Sequence, residues 1–250
     1  NVTLDGSIIF KGKSSVSDGK FSTEFVVPKD ISYENKNGKI TAYIYNKDYD
    51  ALTANKNIIV GGMDTTAVND NKGPDIEILF DDLKNGSANL VKKDFDLLVK
   101  LNDETGLNTS NSGIGHNMTA VIDGNEMNAV DLSKYFISDL DSGGKSGVVS
   151  YRINNMKSGM HKVKISAWDV FNNNTTSENT FYVTESEVLE IKDIYNYPNP
   201  FETTTHFTFQ HNYESPVDVK LRIYTVSGRM IYDTDEKFIS DRFVRIFWNG

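Results

Sequence analysis

Residues 39–45 read Lys39-Ile40-Thr41-Ala42-Tyr43-Ile44-Tyr45. Ile40, Ala42 and Ile44 take one side of this run, and Thr41, Tyr43 and Tyr45 the other. Side chains that change sides at every residue mark an extended strand, because a helix repeats only every ~3.6 residues. The same signature recurs in short runs of β-branched and aromatic residues, separated by Gly, Asn and Asp. Before residue 70 these runs are Ser7–Phe10, Lys20–Val27, Lys39–Tyr45 and Asn57–Val60. The polar stretch Asn69–Pro74, with its Gly-Pro pair, reads as a linker.

A second set of strands is expected at Ile76–Phe80, Phe95–Leu101, Met118–Ile122, Gly147–Ile153, His161–Val170 and Asn179–Val183, spaced as in a β-sandwich. Trp168 falls where Lys162, Lys164 and Ser166 face outward, which places it over a sheet edge or a domain junction. Asp169–Asn174 reads as a hairpin tip. Only Asp131–Leu140 has helical spacing, with Leu132, Tyr135, Phe136 and Leu140 on one side and Asp131 as N-cap. It predicts one or two helical turns. After a break near Thr184–Glu187, strands are expected at Thr205–Phe209, Val217–Thr225, Met230–Tyr232 and Phe243–Trp248, with Ser227-Gly228-Arg229 as a turn. The fold class is therefore all-β, with tandem immunoglobulin-like sandwiches over 1–70, 74–185 and 188–250. The last is short for a closed sandwich.

The chain has 250 residues, 38% of them hydrophobic and 24% charged, so it can bury a core. Its net charge of −9 opposes nucleic-acid phosphates and anionic lipid. Neither nucleic-acid binding nor membrane insertion is expected, since no run approaches the ~18–20 apolar residues of a spanning helix. There is no cysteine, which excludes disulfides, thiolate zinc sites and a cysteine nucleophile within this chain. The chain begins at Asn1 and reads as a fragment or a processed product.

No catalytic, cofactor or metal site is expected. His206 and His211 lie five apart, so a regular strand points them to opposite faces, and both read as exposed. His161 reads likewise. His116 sits in Gly113-Ile114-Gly115-His116-Asn117 and reads as a structural hydrogen-bonding residue, with orientation of the loop 102–108 through an imidazole–carboxylate bond as the functional reading and ligand or substrate contact as the alternative. A catalytic base would need a nucleophile or metal beside it, and no motif supplies one. Asp103, Glu104, Asp139 and Asp141 read as solvated turn acids. The Asp139-x-Asp141 spacing starts a calcium loop, but Ser150 stands where the closing Glu belongs. A cross-loop calcium site is the alternative. Tyr43, Tyr45, Tyr49 and Trp168 read as sheet packing, with a sugar platform as the alternative. The sequons at Asn108 and Asn117 read as chance occurrences.

Tyr197-Pro198-Asn199-Pro200-Phe201 gathers two of the five prolines. Each proline sets its own φ and extends the residue before it, so the knot reads as a stiff lead-in to a strand, with Phe201 as a core anchor.

Longer stretches carry a family resemblance. "FSTEFVVPKDISYENKNGKITAYIYN" (21–46) and "NIIVGG" (57–62) come from the first segment. "GPDIEILFDD" (73–82), "LNDETGLNTSNSGIGHNMTAVIDG" (101–124) and "SGMHKVKISAWDVFNN" (158–173) come from the second, and "YNYPNPF" (195–201), "FTFQHN" (207–212) and "IYTVSGRMIY" (223–232) from the third. In this order they resemble the carboxy-terminal portion of the type IX secretion system sortases, gingipain-like cysteine peptidases of Bacteroidota. The third segment also resembles flagellar hook-capping modules and the carboxy-terminal signals of type IX cargo.

The resemblance implies a non-catalytic scaffold or docking region, exported to the cell surface or outer membrane. Its expected partners are outer-membrane secretion proteins or cargo. An upstream Cys–His domain, which nothing here resembles, would cleave cargo signals and join cargo to a lipopolysaccharide anchor. Modules of the third kind continue past "WNG", so an open sheet edge is expected there. A glycan-binding or adhesive immunoglobulin-like array is the alternative, and a cargo whose last module is its export signal is a third reading.

Overall fold

The computed structural model describes residues 8–31, 35–62, 64, 66–81, 89–110, 115–184, 189–213 and 215–250. Ser7, Gly113, Ile114 and the expected break at 185–187 lie outside them. Strands dominate, as the alternation predicts. In the first segment β1 (Lys36–Tyr45) and β2 (Asp50–Val60) form an antiparallel hairpin. The expected strands at Ser7–Phe10 and Lys20–Val27 are not strands. Residues 8–31 instead form a strap that doubles back at a turn closed between Ser17 and Lys20, with Phe10 stacked on Phe25 at 4.0 Å, and its one β-bridge to the rest pairs Lys13 with Leu140. No second sheet covers the hairpin among the described residues, so the sandwich expected over 1–70 is not seen there. Ile40, Tyr43, Tyr45, Leu52 and Ile59 are all exposed. Period two was the right reading of these strands, but alternation cannot say whether a second layer exists to pack on.

The central segment is a true two-layer structure. Its strands are β3 (Asp75–Phe80), β4 (Leu90–Val91), β5 (Phe95–Asn102), β6 (Thr119–Ile122), β7 (Val130–Asp131), β8 (Phe136–Ser138), β9 (Ser146–Ile153), β10 (Gly159–Trp168) and β11 (Asn174–Val183). One sheet has the order β3-β5-β9-β8 and the other β4-β11-β10-β6-β7. All pairs are antiparallel except β4 with β11. On β10, Val163, Ile165 and Ala167 are fully buried between the sheets while Lys162, Lys164 and Ser166 face out. Phe80, Phe95 and Phe181 meet at the centre, with ring centroids 4.9 to 5.9 Å apart. Gly147 on β9 lets β8 approach. A Cβ there would lie 2.4 Å from the Ile137 carbonyl and 2.5 Å from the Phe136 ring.

The helical expectation for Asp131–Leu140 shrinks to one 3-10 turn, Ser133–Tyr135, between β7 and β8. Asp131 Oδ1 accepts the Ser133 amide, but the N-cap position is Leu132. Leu132 and Phe136 are buried and Leu140 is 62% exposed, so the four residues do not share a face. A crossing between the two sheets produces the same short-range spacing as a helix. A second 3-10 turn, Glu126–Asn128, was not foreseen.

The third segment holds β12 (Ile191–Tyr197), β13 (Thr205–His211), β14 (Val217–Tyr224), β15 (Met230–Ile239) and β16 (Phe243–Trp248). Its sheets have the orders β12-β13-β16 and β14-β15. Trp248 joins them, with Phe201, Phe207 and Tyr232 at ring distances of 5.5, 6.0 and 6.2 Å. The proline knot is a connection between β12 and β13 rather than the entry to the first strand. Both X-Pro bonds in it are cis, and the Thr205 hydroxyl donates to the Pro198 carbonyl at 2.8 Å. Gly228, with φ of +85°, turns β14 into β15. Among the described strands β16 pairs with β13 alone and is an edge.

Phe181→Ala should be the most damaging single truncation in the central sandwich. Removing a fully buried aromatic costs about 3–5 kcal/mol. Urea unfolding followed by far-ultraviolet circular dichroism is expected to show it, while Ile59→Ala on the exposed hairpin should change the midpoint little.

Candidate functional site

The chemically dense places are the two ends of the central sandwich, where its neighbours attach. At one end stand the turns 103–110, 139–145 and 169–173 and the residues around His116. The strap crosses this end. Asp141, in the tight turn before β9, takes the Ser15 amide on Oδ1 and the Ser15 hydroxyl on Oδ2, each at 2.7 Å, and its own amide donates to Lys13. The Ser15 amide, then the hydroxyl, hold the Asp141 carboxyl below its ordinary range. Gly143, with φ of +62°, lets the strap pass, since a Cβ would lie 2.4 Å from the Glu24 carbonyl.

Further along the strap, the Lys29 amide donates to Val170 at 2.9 Å. Next to it, Asp30 is nearly enclosed, its side chain 8% exposed. Its Oδ2 meets His116 Nδ1 at 2.7 Å and Asn108 Nδ2 at 2.9 Å, and its Oδ1 receives Asn172 Nδ2 at 2.9 Å. The His116 ring lies against Trp168, centroids 4.3 Å apart. Trp168 does stand at a junction, as its outward position predicted. His116 does bond a carboxylate, and it reaches the 102–108 loop only indirectly. The carboxylate is Asp30, however, and the link runs through Asn108. Asp103 serves its own loop, accepting the Thr105 amide and hydroxyl and the Gly106 amide.

Beside it, Asp169 is fully buried and accepts the Phe171 and Asn173 amides and the Asn173 side chain. Burial pushes its carboxyl above the ordinary range against those hydrogen bonds, and the Asp103 charge adds to the rise. Asp103 and Asp169 are therefore shielded from solvent, whereas Glu104, Asp139 and Asp141 are exposed turn acids, as expected. Asp139 accepts the Ser146 hydroxyl at 2.6 Å. Among the described residues no group of three or more His, Asp or Glu side chains is placed to hold a metal. The Asn108 side chain is buried and bonded at both ends, which gives its sequon a packing role. The Asn69–Pro74 linker is also tied down. Asn69 Oδ1 accepts Asn173 Nδ2 at 2.7 Å, and Pro74 is buried.

The opposite end carries the third segment. Asp81, at the end of β3 with φ of 60°, accepts the Asp96 amide on Oδ1 and Arg242 Nη1 on Oδ2, the latter at 2.7 Å. Both side chains of this ion pair are largely buried. Asn89 donates its amide to Gln210 Oε1 at 2.9 Å, and Asn212 Nδ2 reaches Thr184 Oγ1 at 3.3 Å. His211 supports Arg242 from below and is 1% exposed, against the expectation of an exposed residue. Its amide donates to the Arg242 carbonyl, its Nε2 donates to the Asp241 carbonyl at 3.2 Å, and its Nδ1 accepts the Tyr213 amide at 3.2 Å. His206 does point the other way, edge-on to Phe247. The spacing argument was right about faces, and burial of one face came from packing.

His161 is also engaged, with Nδ1 on Asp123 and Nε2 on the Lys157 carbonyl, each at 2.7 Å. Tyr43 and Tyr45 stack at 5.6 Å on the hairpin, and Tyr49 lies in its exposed turn, while Trp168 stacks on His116 instead. The key residues missed by sequence reading are Asp30, Asp81, Asn172 and Arg242. Asp81 and Arg242 flank strand ends, Asn172 sits in the turn between β10 and β11 and Asp30 lies in the strap, and no local spacing links any of them to its partner.

No family model matches the chain, and no curated protein matches it. Among solved structures, it is similar to one described as the crystal structure of dimeric latent PorU from Porphyromonas gingivalis, at 28% sequence identity and a TM-score of 0.45. The likeness covers 94% of this chain and 22% of that one, so the chain spans about a fifth of its length.

Two outcomes are expected at the Asp81–Arg242 end. Arg242→Ala leaves a nearly buried carboxylate unpaired, which costs roughly 2–3 kcal/mol. Faster amide exchange and earlier proteolysis within 190–250 should reveal it, with the central sandwich unchanged.

The second outcome concerns pH. Burial, and then the Arg242 charge, lower the pKa of His211. The unfolded chain then takes the proton first, so this contribution to stability is intact above the ordinary imidazole pKa of about 6.5 and is lost as pH falls below it. The urea midpoint of the third segment should drop from pH 7.5 to pH 5. His211→Asn, which keeps an acceptor for Tyr213, should show a shallower drop.

Proposed function

We propose that this chain is the non-catalytic carboxy-terminal support of a gingipain-like type IX secretion sortase. The observation that carries the reading is the run of motifs from "FSTEFVVPKD" to "IYTVSGRMIY", which resembles that family in order along nearly the whole chain. The junction geometry agrees with a supporting role. Asp30 and Asp81 each reach across a boundary, so the central sandwich holds its neighbours in set orientations. With no cysteine here, signal cleavage would belong to a separate Cys–His domain. The third segment, with its β16 edge, would present the docking surface to outer-membrane secretion proteins or cargo, at the cell surface of a Gram-negative bacterium. A free sheet edge suits that role because it offers main-chain hydrogen bonds to a partner strand.

The second reading, a glycan-binding or adhesive array, is favoured by the stacked and exposed Tyr43–Tyr45 pair. The two readings separate in the parent protein. Deleting 190–250 from a parent sortase should leave cleavage of a synthetic signal peptide intact while surface attachment of cargo falls at least tenfold. Peptide mapping of the parent that finds no peptidase domain joined to this region would overturn the sortase reading. Sugar affinity lost in Tyr43→Ala would then establish the other.

A further inference from the structure

Asp30 sits in the sandwich as a ligand sits in a pocket. Three side-chain donors from three separate places converge on one carboxylate: Asn108, His116 and Asn172. Asn108 is 1% exposed and its own carbonyl is held by Ser110, which fixes its Nδ2 toward Asp30. Trp168 backs the His116 ring. The Asn172 side chain is committed in the same sense. Its Nδ2 reaches Asp30 while its Oδ1 is buried with no hydrogen-bond partner among the described residues. A buried carbonyl without a donor is costly, so this amide is arranged for the carboxylate and not for itself.

Tethering alone does not need this arrangement, because the Lys29 amide already bonds Val170 next door. The strap, meanwhile, is lightly held. Residues 8–31 form no named strand and most of their side chains are exposed, and apart from Asp30 they are held by the Lys13–Leu140 bridge, the Ser15–Asp141 hydrogen bonds and the Lys29 amide rather than by apolar burial. Segments with few buried contacts open at low cost.

We propose that this end of the central sandwich is a carboxylate-binding pocket, built from Asn108, His116 and Asn172, which Asp30 fills in cis and which a carboxylate of another extended chain takes when the strap lifts. The ligand class is a carboxylate on a peptide, from an Asp or Glu side chain or from a chain end. Amide and imidazole N–H donors in a partly desolvated site suit an anion of this shape. The inference stands apart from the secretion reading, since it rests on the pocket alone.

The test uses the whole chain with Asp30→Ala, and sodium acetate as the probe, titrated at constant ionic strength against sodium chloride. Side-chain NMR signals of Asn108 and His116 should shift saturably in Asp30→Ala. At least tenfold more acetate should be needed in the wild type, and the response should vanish in Asp30→Ala/His116→Ala. A folded Asp30→Ala with no saturable shift overturns the proposal.

If Asp30→Ala does not fold, Asp30→Asn keeps the shape and removes the charge. Exchange of the Lys29 amide should then speed up at least fivefold, and unchanged protection overturns the proposal. Two peptides follow acetate in Asp30→Ala, one with a free carboxy terminus and no acidic side chain, the other amidated with an internal Asp. Binding of either supports the trans ligand and names its source. Binding of neither, where acetate binds, overturns the trans ligand.

Discussion

The apolar contact between the two sheets of the central sandwich is the constraint on which the rest of the central fold depends. Phe80, Phe95 and Phe181 interlock there, and Leu97, Val99, Val149, Val163 and Ile165 close the space around them. Burial of this kind is the main favourable term in folding. The hairpin buries little, and the third segment is built around one tryptophan. Neither has a core of comparable size. An isolated two-stranded hairpin is marginal in water.

Much of the strand pattern was legible in the sequence, because alternation is local. Val163, Ile165 and Ala167 against Lys162, Lys164 and Ser166 read directly as inside and outside. What local pattern could not show was layering. The run at Lys20–Val27 alternates without a sheet to join, and Leu132 and Phe136 imitate a helix while crossing between sheets. The short strands β4, β7 and β8 carry too few residues to show a period at all. At the candidate site, His116 stood out because two glycines precede it in a loop that feeds a strand, where an imidazole can bond a carboxylate partner. Asp30, 86 residues away, was not visible as that partner, since only the tertiary path of the strap brings them together.

The two junctions use the same chemistry with different partners. Asp30 is met by neutral amides and an imidazole, Asp81 by a guanidinium. A charged group held across a boundary contributes modestly to net stability after desolvation, but a misplaced one is costly, so such contacts select one relative orientation. His211 extends this on the Arg242 side. Its neutral ring fits only with one nitrogen donating and the other accepting, which makes the turn before β16 sensitive to a single proton.

The chain has two tryptophans, and their placement gives it a built-in optical record. Trp168 rests on His116 beneath the strap, and Trp248 is the hub of the last segment. Each indole reports on a different region, one on the seating of the strap and the other on the closure of the final sheets. With either ring replaced by Phe, the emission of the survivor follows one region alone, so the order in which the molecule comes apart can be watched without any attached dye.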